Sequence, residues 1–172
     1  MYRRGNLYSS WLVSLCTVLA IGFIGCGDGD SEGDNELVGT WRLESVDGAT
    51  IQQTIDQFKQ LAAAFGQELE ISYTEDWTFE SDGMWRREST LVAPNDAGEV
   101  ETSSFEATGT YSLSGSSYSI TIMGTTGADP TEDIQADIDF DFADIINGTW
   151  SIDGGTLTLT GAGGTTLGFE RQ

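Results

Sequence analysis

From Leu37 onward the chain alternates apolar and polar residues in short runs, and this period of two restricts its fold more than any other feature. Successive side chains of a strand point to opposite faces, so each such run buries one face and wets the other. Leu37, Gly39, Trp41 and Leu43 share a face of the first run, opposite Thr40, Arg42 and Glu44. Leu69, Ile71, Tyr73, Trp77 and Phe79 share a face of the second, with Glu75 as the odd member in that register. The pattern continues through Phe105, Ala107, Tyr111 and Leu113; Tyr118, Ile120 and Ile122; and Ile138, Phe140 and Phe142. It closes with Trp150 and Ile152, Leu157 and Leu159, and Leu167 and Phe169. Only Met84 to Ala93 is ambiguous, because Trp85 and Leu91 share a face with Arg87 while Met84 and Val92 share the other with Arg86. Either one arginine points inward there or a bulge resets the register.

Short glycine-rich turns separate the runs, as at Ser81-Asp82-Gly83, Ser114-Gly115-Ser116 and Asp153-Gly154-Gly155, so consecutive strands form hairpins. One segment departs from this pattern. Ile51, Ile55, Phe58, Leu61 and Phe65 recur at helical spacing and end at Gly66, which predicts a single amphipathic helix packed across an open end or flank of the sheet. The triplets Gly39-Thr40-Trp41, Gly109-Thr110-Tyr111 and Gly148-Thr149-Trp150 form a weak repeat whose unequal intervals do not define a repeat fold. The expected fold is mainly β, an antiparallel up-and-down β-barrel of about 8–10 strands with one inserted helix, since a meander of that length must close or stack to remove its edges.

The first 25 residues have a different logic. Arg3 and Arg4 precede an apolar stretch from Trp11 to Ile24, shorter than the roughly 20 residues that span a bilayer, which is the layout of a secretory signal. Phe23-Ile24-Gly25-Cys26 resembles a bacterial lipobox, in which the cysteine is acylated and becomes the new N-terminus. Cys16, the chain's other cysteine, follows Leu15 inside the apolar run and fits that pattern less well. The resemblance implies a signal peptide over 1–25, a lipid-attachment site at Cys26 and export to a bacterial membrane, on its periplasmic face or at the cell surface. Residues 27–36, GDGDSEGDNE, contain no apolar side chain and read as an acidic flexible tether, leaving 37–172 as the barrel domain.

Charge and composition narrow the chemistry. With 28 acidic against 7 basic residues the net charge is −21, which opposes nucleic acid and anionic headgroups and favours a soluble, mutually repelling monomer. The chain has no histidine, so Ser-His-Asp and Cys-His catalysis and imidazole zinc sites are excluded. No catalytic residue, metal site or cofactor is expected, and the chain does not read as an enzyme. Asp137, Asp139, Asp141 and Asp144 in DIDFDFAD could hold a hard cation or form the wet face of a strand whose other face carries Ile138, Phe140 and Phe142.

Leu37-Val38-Gly39-Thr40-Trp41, the strand-turn-strand Trp77 to Trp85, and the terminal Leu167-Gly168-Phe169-Glu170-Arg171 together resemble the lipocalin-like domains of bacterial lipoproteins, within the calycin group. The resemblance covers Leu37 to Arg171, and the inserted helix departs from the lipocalin norm. It implies a barrel that binds a small hydrophobic or amphipathic ligand, and a structural clasp in which Arg171 of the last strand packs on Trp41 of the first. Register agrees, since Trp41 lies on the apolar face and Arg171 lies on the face of Leu167 and Phe169. Tyr73, Trp77, Phe79, Trp85, Phe105, Tyr111, Phe140 and Phe142 have two readings. They line a ligand cavity, or they fill the barrel and leave it an envelope structural or interaction module without a ligand.

Overall fold

The computed structural model describes residues 36–66, 68–94, 98–127 and 142–172. Cys26, the signal segment, residues 27–35 of the tether and Asp137, Asp139, Phe140 and Asp141 lie outside them. The strands are β1 (Gly39–Val46), β2 (Ala49–Thr50), β3 (Ser72–Phe79), β4 (Met84–Pro94), β5 (Val100–Ser114), β6 (Ser117–Gly127), β7 (Asn147–Asp153), β8 (Thr156–Gly161) and β9 (Thr166–Arg171). Among the described residues, helices α1 (Ile51–Ala64) and α2 (Phe142–Ile145) interrupt them. Every pairing is antiparallel, and β1 pairs with β3 on one side and β9 on the other. The result is a closed barrel of eight strands, with two-residue β2 added to the end of β1.

Closure sets which residues meet. Trp41 stands opposite Trp77 of β3 and Arg171 of β9, and Leu43 opposite Phe169. Trp41, Leu157, Leu159, Leu167 and Phe169 are all buried, so the period of two delivers one continuous interior. Gly109 and Gly148, the glycines of two of the repeated triplets, sit where strands bend inward. A Cβ on Gly109 would meet the carbonyl oxygen of Thr121 at 2.0 Å, and one on Gly148 would meet that of Thr160 at 2.0 Å. Glycine at such points lets neighbouring backbones approach closely.

Two faces differ from the sequence pattern. Ile122 is 42% exposed and not buried, although it pairs with Gly109 in the same register that sets Ile120 opposite Tyr111; the β5–β6 ladder shifts only beyond it, where Gly124 stands opposite Thr108 and Met123 is the extra residue. Phe142 opens a helix and not a strand end. Residues three apart share a helical face, so α2 directs both Phe142 and the fully buried Ile145 toward the barrel. Between Met84 and Ala93 the register is unbroken: Trp85, Arg87, Ser89 and Leu91 are inward, while Arg86 faces out to Glu88 at 3.1 Å.

Helix α1 starts with a capping box, Gln53 N–H donating to Thr50 Oγ1 (3.1 Å) and Thr50 N–H to Gln53 Oε1 (3.0 Å). Ile51, Ile55 and Ala62 are buried against the barrel and Phe58 is half-buried. Leu61 and Phe65 do not join that stripe, being 61% and 77% exposed. The helix adjoins the ends of β1 and β3 at the same end of the barrel as the β4–β5 and β8–β9 connections.

The other end is sealed. Arg171 Cζ stands 4.7 Å from the Trp41 ring centroid, and the same guanidinium donates to the carbonyls of Glu36 (2.6 Å) and Val38 (3.1 Å). Trp41 Nε1 donates to Leu37 O at 2.7 Å, so the turn before β1 folds across the base. Arg171→Ala removes the cation–π contact and two hydrogen bonds, and is expected to lower the unfolding free energy by about 1–2 kcal/mol in urea titration. An unchanged midpoint would make the contact incidental.

Tyr118 offers a pH test of packing. Its hydroxyl donates to Ile145 O at 2.5 Å, and burial pushes the phenol up to about 12 from 10.0. The unfolded chain releases this proton first, so the stabilisation is whole below about pH 10 and drains away as pH rises toward 12. Tyr118→Phe is expected to flatten the fall in unfolding free energy between about pH 10 and 12. A fall as steep as the parent's would place the titration elsewhere.

Candidate functional site

The interior of β3 and β4 is built from a grid of facing pairs: Tyr73 with Leu91, Glu75 with Ser89, Trp77 with Arg87, and Phe79 with Trp85. Glu75 and Arg87 are diagonal neighbours in this grid, a separation that long side chains span. Arg87 Nη2 donates to Glu75 Oε2 at 2.9 Å, with the two side chains 1% and 0% exposed. Trp77 Nε1 donates to Glu75 Oε1 at 2.6 Å, and the Tyr73 hydroxyl donates to Glu75 Oε2. One carboxylate thus collects three donors, filling most of its roughly four acceptor sites and offsetting its removal from water. Burial, and next the neighbouring Glu75 charge, hold the Tyr73 phenol well above its ordinary range.

Aromatic rings surround this polar centre. Trp77 contacts Phe79 (6.3 Å between centroids), Trp85 (5.2 Å), Phe142 (5.9 Å) and Phe169 (5.2 Å), and Trp85 stacks on Phe142 at 5.8 Å. The Arg87 guanidinium lies 5.2 Å from the Phe105 ring centroid and 5.1 Å from that of Phe142, so two rings flank its charge. Phe79 meets Tyr111 edge-on at 5.1 Å, and Tyr111 donates to Glu80 O at 2.8 Å. Seven of the eight aromatic candidates therefore form one connected cluster. Trp77, Phe79 and Trp85 are buried at its base, whereas Phe105, Tyr111 and Phe142 are half-buried.

Toward the end that carries α1, the wall is lined by Ile71, Leu91, Ala93 and Phe105. A separate depression of about 210 Å³ lies along β4, β5 and β6, lined by Glu88, Ser104, Phe105, Glu106, Thr126 and Gly127. It is smaller than the roughly 300–1,000 Å³ typical of small-molecule pockets and shares only Phe105 with the aromatic cluster. No cluster of candidate metal-ligating side chains occurs among the described residues. Asp144, in α2, is exposed.

Glu75 and Arg87 belong to the site although neither is aromatic. The signal was in the chain: each breaks an apolar face, the two carry opposite charges, and one hairpin turn separates their strands. Ser89 left no comparable trace. Chemically the arrangement offers fixed donors and an apolar surround, which suits recognition, and among the described residues no second buried carboxylate stands beside Glu75 for acid–base work.

Breaking the pair from one side tests its coupling. Glu75→Leu leaves the guanidinium in a dry interior and is expected to cost about 3–5 kcal/mol. The double variant Glu75→Leu/Arg87→Met is expected to lose less than Glu75→Leu alone, as read by urea unfolding. Strictly additive losses would mean that the two charges are not coupled.

A family model described as "Lipocalin-like domain" matches residues 37–139. A crystal structure of an uncharacterized protein from Bacteroides eggerthii DSM 20697 is 16% identical, with 79% of this chain and 99% of that chain covered at a TM-score of 0.35. No curated protein matches.

Proposed function

The chain belongs to the family of lipocalin-like domains, and from that premise we propose that its barrel binds or carries a small hydrophobic or amphipathic molecule at a bacterial membrane. The observation that carries this reading is the buried Glu75–Arg87 pair, set among aromatic rings toward the end of the barrel opposite the Trp41–Arg171 clasp. A buried ion pair is a weak source of stability, because desolvation consumes most of its attraction. Its use here is orientation: an apolar surround accepts a ligand's hydrocarbon part and a fixed polar centre sets its direction.

In this reading Cys26 is acylated after cleavage of residues 1–25, and the acidic segment 27–36 tethers the barrel to the membrane. The lipobox-like Phe23-Ile24-Gly25-Cys26 supports the anchor. The tether enters the barrel beside Leu37, at the sealed end, so the opposite end is the one left for a ligand. Binding, and not catalysis, is the activity proposed.

A second reading has support of its own. Trp77, Phe79, Trp85 and Phe169 bury one another almost completely, and a barrel filled in this way throughout serves as an envelope structural or interaction module. Native mass spectrometry of the full chain carrying Cys26→Ser, purified without detergent, separates the two. A co-purifying adduct of lipid mass is expected from ligand binding. A bare protein that also takes up no added twelve-carbon amphiphile supports the filled module. The same variant is expected to leave the membrane fraction, and its retention there would overturn the anchor.

A further inference from the structure

Along the inner face of β4, Trp85, Arg87 and Ser89 follow one another at alternate positions, all buried. Arg87 is bonded to Glu75, but on either side of it Trp85 Nε1 and Ser89 Oγ have no hydrogen-bond partner. The other described indoles all donate: Trp41 to Leu37 O, Trp77 to Glu75 and Trp150 to Gly115 O. Trp85 is thus the exception among them. An indole N–H only donates, and a ring packed edge-on to Trp77 and stacked on Phe142 is not free to re-aim it. Each unmet buried group opposes folding, a cost that a phenylalanine or an alanine at these positions would avoid.

We infer that Trp85 Nε1 and Ser89 Oγ are the contacts for the polar end of the ligand, and that this end is neutral and rich in acceptor oxygens, as in a glyceryl ester. The inference rests on the ligand-binding reading and specifies the class of molecule. Trp85 Nε1 can only donate, so the ligand must supply an acceptor there, and Ser89 Oγ can donate to a second. The charge of Arg87 is already matched by Glu75 at 2.9 Å, so an added carboxylate would meet an occupied cation and a second anion in a medium of low dielectric. An ammonium group would face the like charge of the Arg87 guanidinium and would leave Trp85 Nε1 still unmet. Four residues of strand separate Trp85 from Ser89, about 13 Å along the backbone, which favours a head group with several oxygens over a single carbonyl.

Neither orphan atom is open to solvent, so something must move to admit a head group. Phe142 is the ring placed to do so. It is half-buried, it belongs to a four-residue helix and not to the barrel wall, and it covers both Trp85 and Arg87. The hydrocarbon part then lies along Leu91, Ala93 and Phe105 toward the end that carries α1.

The test uses the full chain with Cys26→Ser, free of detergent, and three probes of one chain length: monolauroylglycerol, laurate and dodecylamine. Monolauroylglycerol is expected to bind at least about tenfold more tightly than either charged probe. Trp85→Phe and Ser89→Ala are each expected to weaken it about 5–10-fold and to weaken laurate by less, since each removes one donor. Neither variant loses a hydrogen bond in the unliganded protein; Ser89→Ala is expected to keep its melting temperature within a few degrees of the parent's, and Trp85→Phe, which gives up part of the ring packed on Trp77 and Phe142, to melt lower but in one cooperative transition. In nitrogen–proton spectra, monolauroylglycerol is expected to shift the Trp85 indole resonance downfield. Tighter binding of laurate, or indifference of monolauroylglycerol to both substitutions, overturns this inference and leaves ligand binding standing. Failure of all three probes to bind overturns the ligand-binding reading and this inference with it.

Discussion

The pairing of β1 with β9 brings together residues from the two ends of the domain, Trp41 opposite Arg171 and Leu43 opposite Phe169, and the rest of the barrel depends on it. A meander of strands has two raw edges, each a row of unpaired N–H and C=O groups. Joining them satisfies those groups and turns one face of every strand inward, which is what lets a period of two in sequence become a closed interior. The entropy of joining such distant segments grows only slowly with their separation, and burial of Trp41, Leu43, Leu167 and Phe169 at the seam opposes it. Arg171 then lies over the Trp41 ring and ties down the turn before β1 through its carbonyls.

Within that enclosure a charged pair behaves differently from one on the surface. Arg42 and Asp76, on the outer face, form a bidentate contact at 2.9 and 2.8 Å that water partly screens. Glu75 and Arg87, on the inner face, have no water to fall back on, so each requires the other as well as Tyr73 and Trp77. A one-residue slip of β4 against β3 would turn Arg87 outward and leave Glu75 buried alone, so the pair pins the register of this hairpin. The same requirement gives the interior a fixed polar direction among its rings.

The two ends of the barrel have different characters. The end at Trp41 is closed by side chains and by the start of the domain, with compact hairpins around it. The other end carries α1, whose Ile51 and Ile55 reach the core, and the connections between β4 and β5 and between β8 and β9. Helix α2 adds Phe142 against Trp77, Trp85 and Arg87, where a strand end would have presented that ring differently.

Much of this was legible in the chain because it depends on local repetition. Alternation named the strands and most inward residues, glycine-rich pairs marked the hairpins, and helical spacing found α1 with Ile51 and Ile55 on its buried face. Where local repetition stops, so did the reading. Ile122 is left exposed where the β5–β6 ladder reaches its bulge, and Leu61 and Phe65 were left exposed because the barrel surface, not the helix's own pattern, sets how much of a stripe is covered. Glu75 and Arg87 each stood out as a misfit on an apolar face. That they answer one another, beneath Phe105 and Phe142 and beside the unmet donors of Trp85 and Ser89, was decided only when closure placed them in one buried interior, since there alone does an uncompensated charge cost enough to dictate its partner.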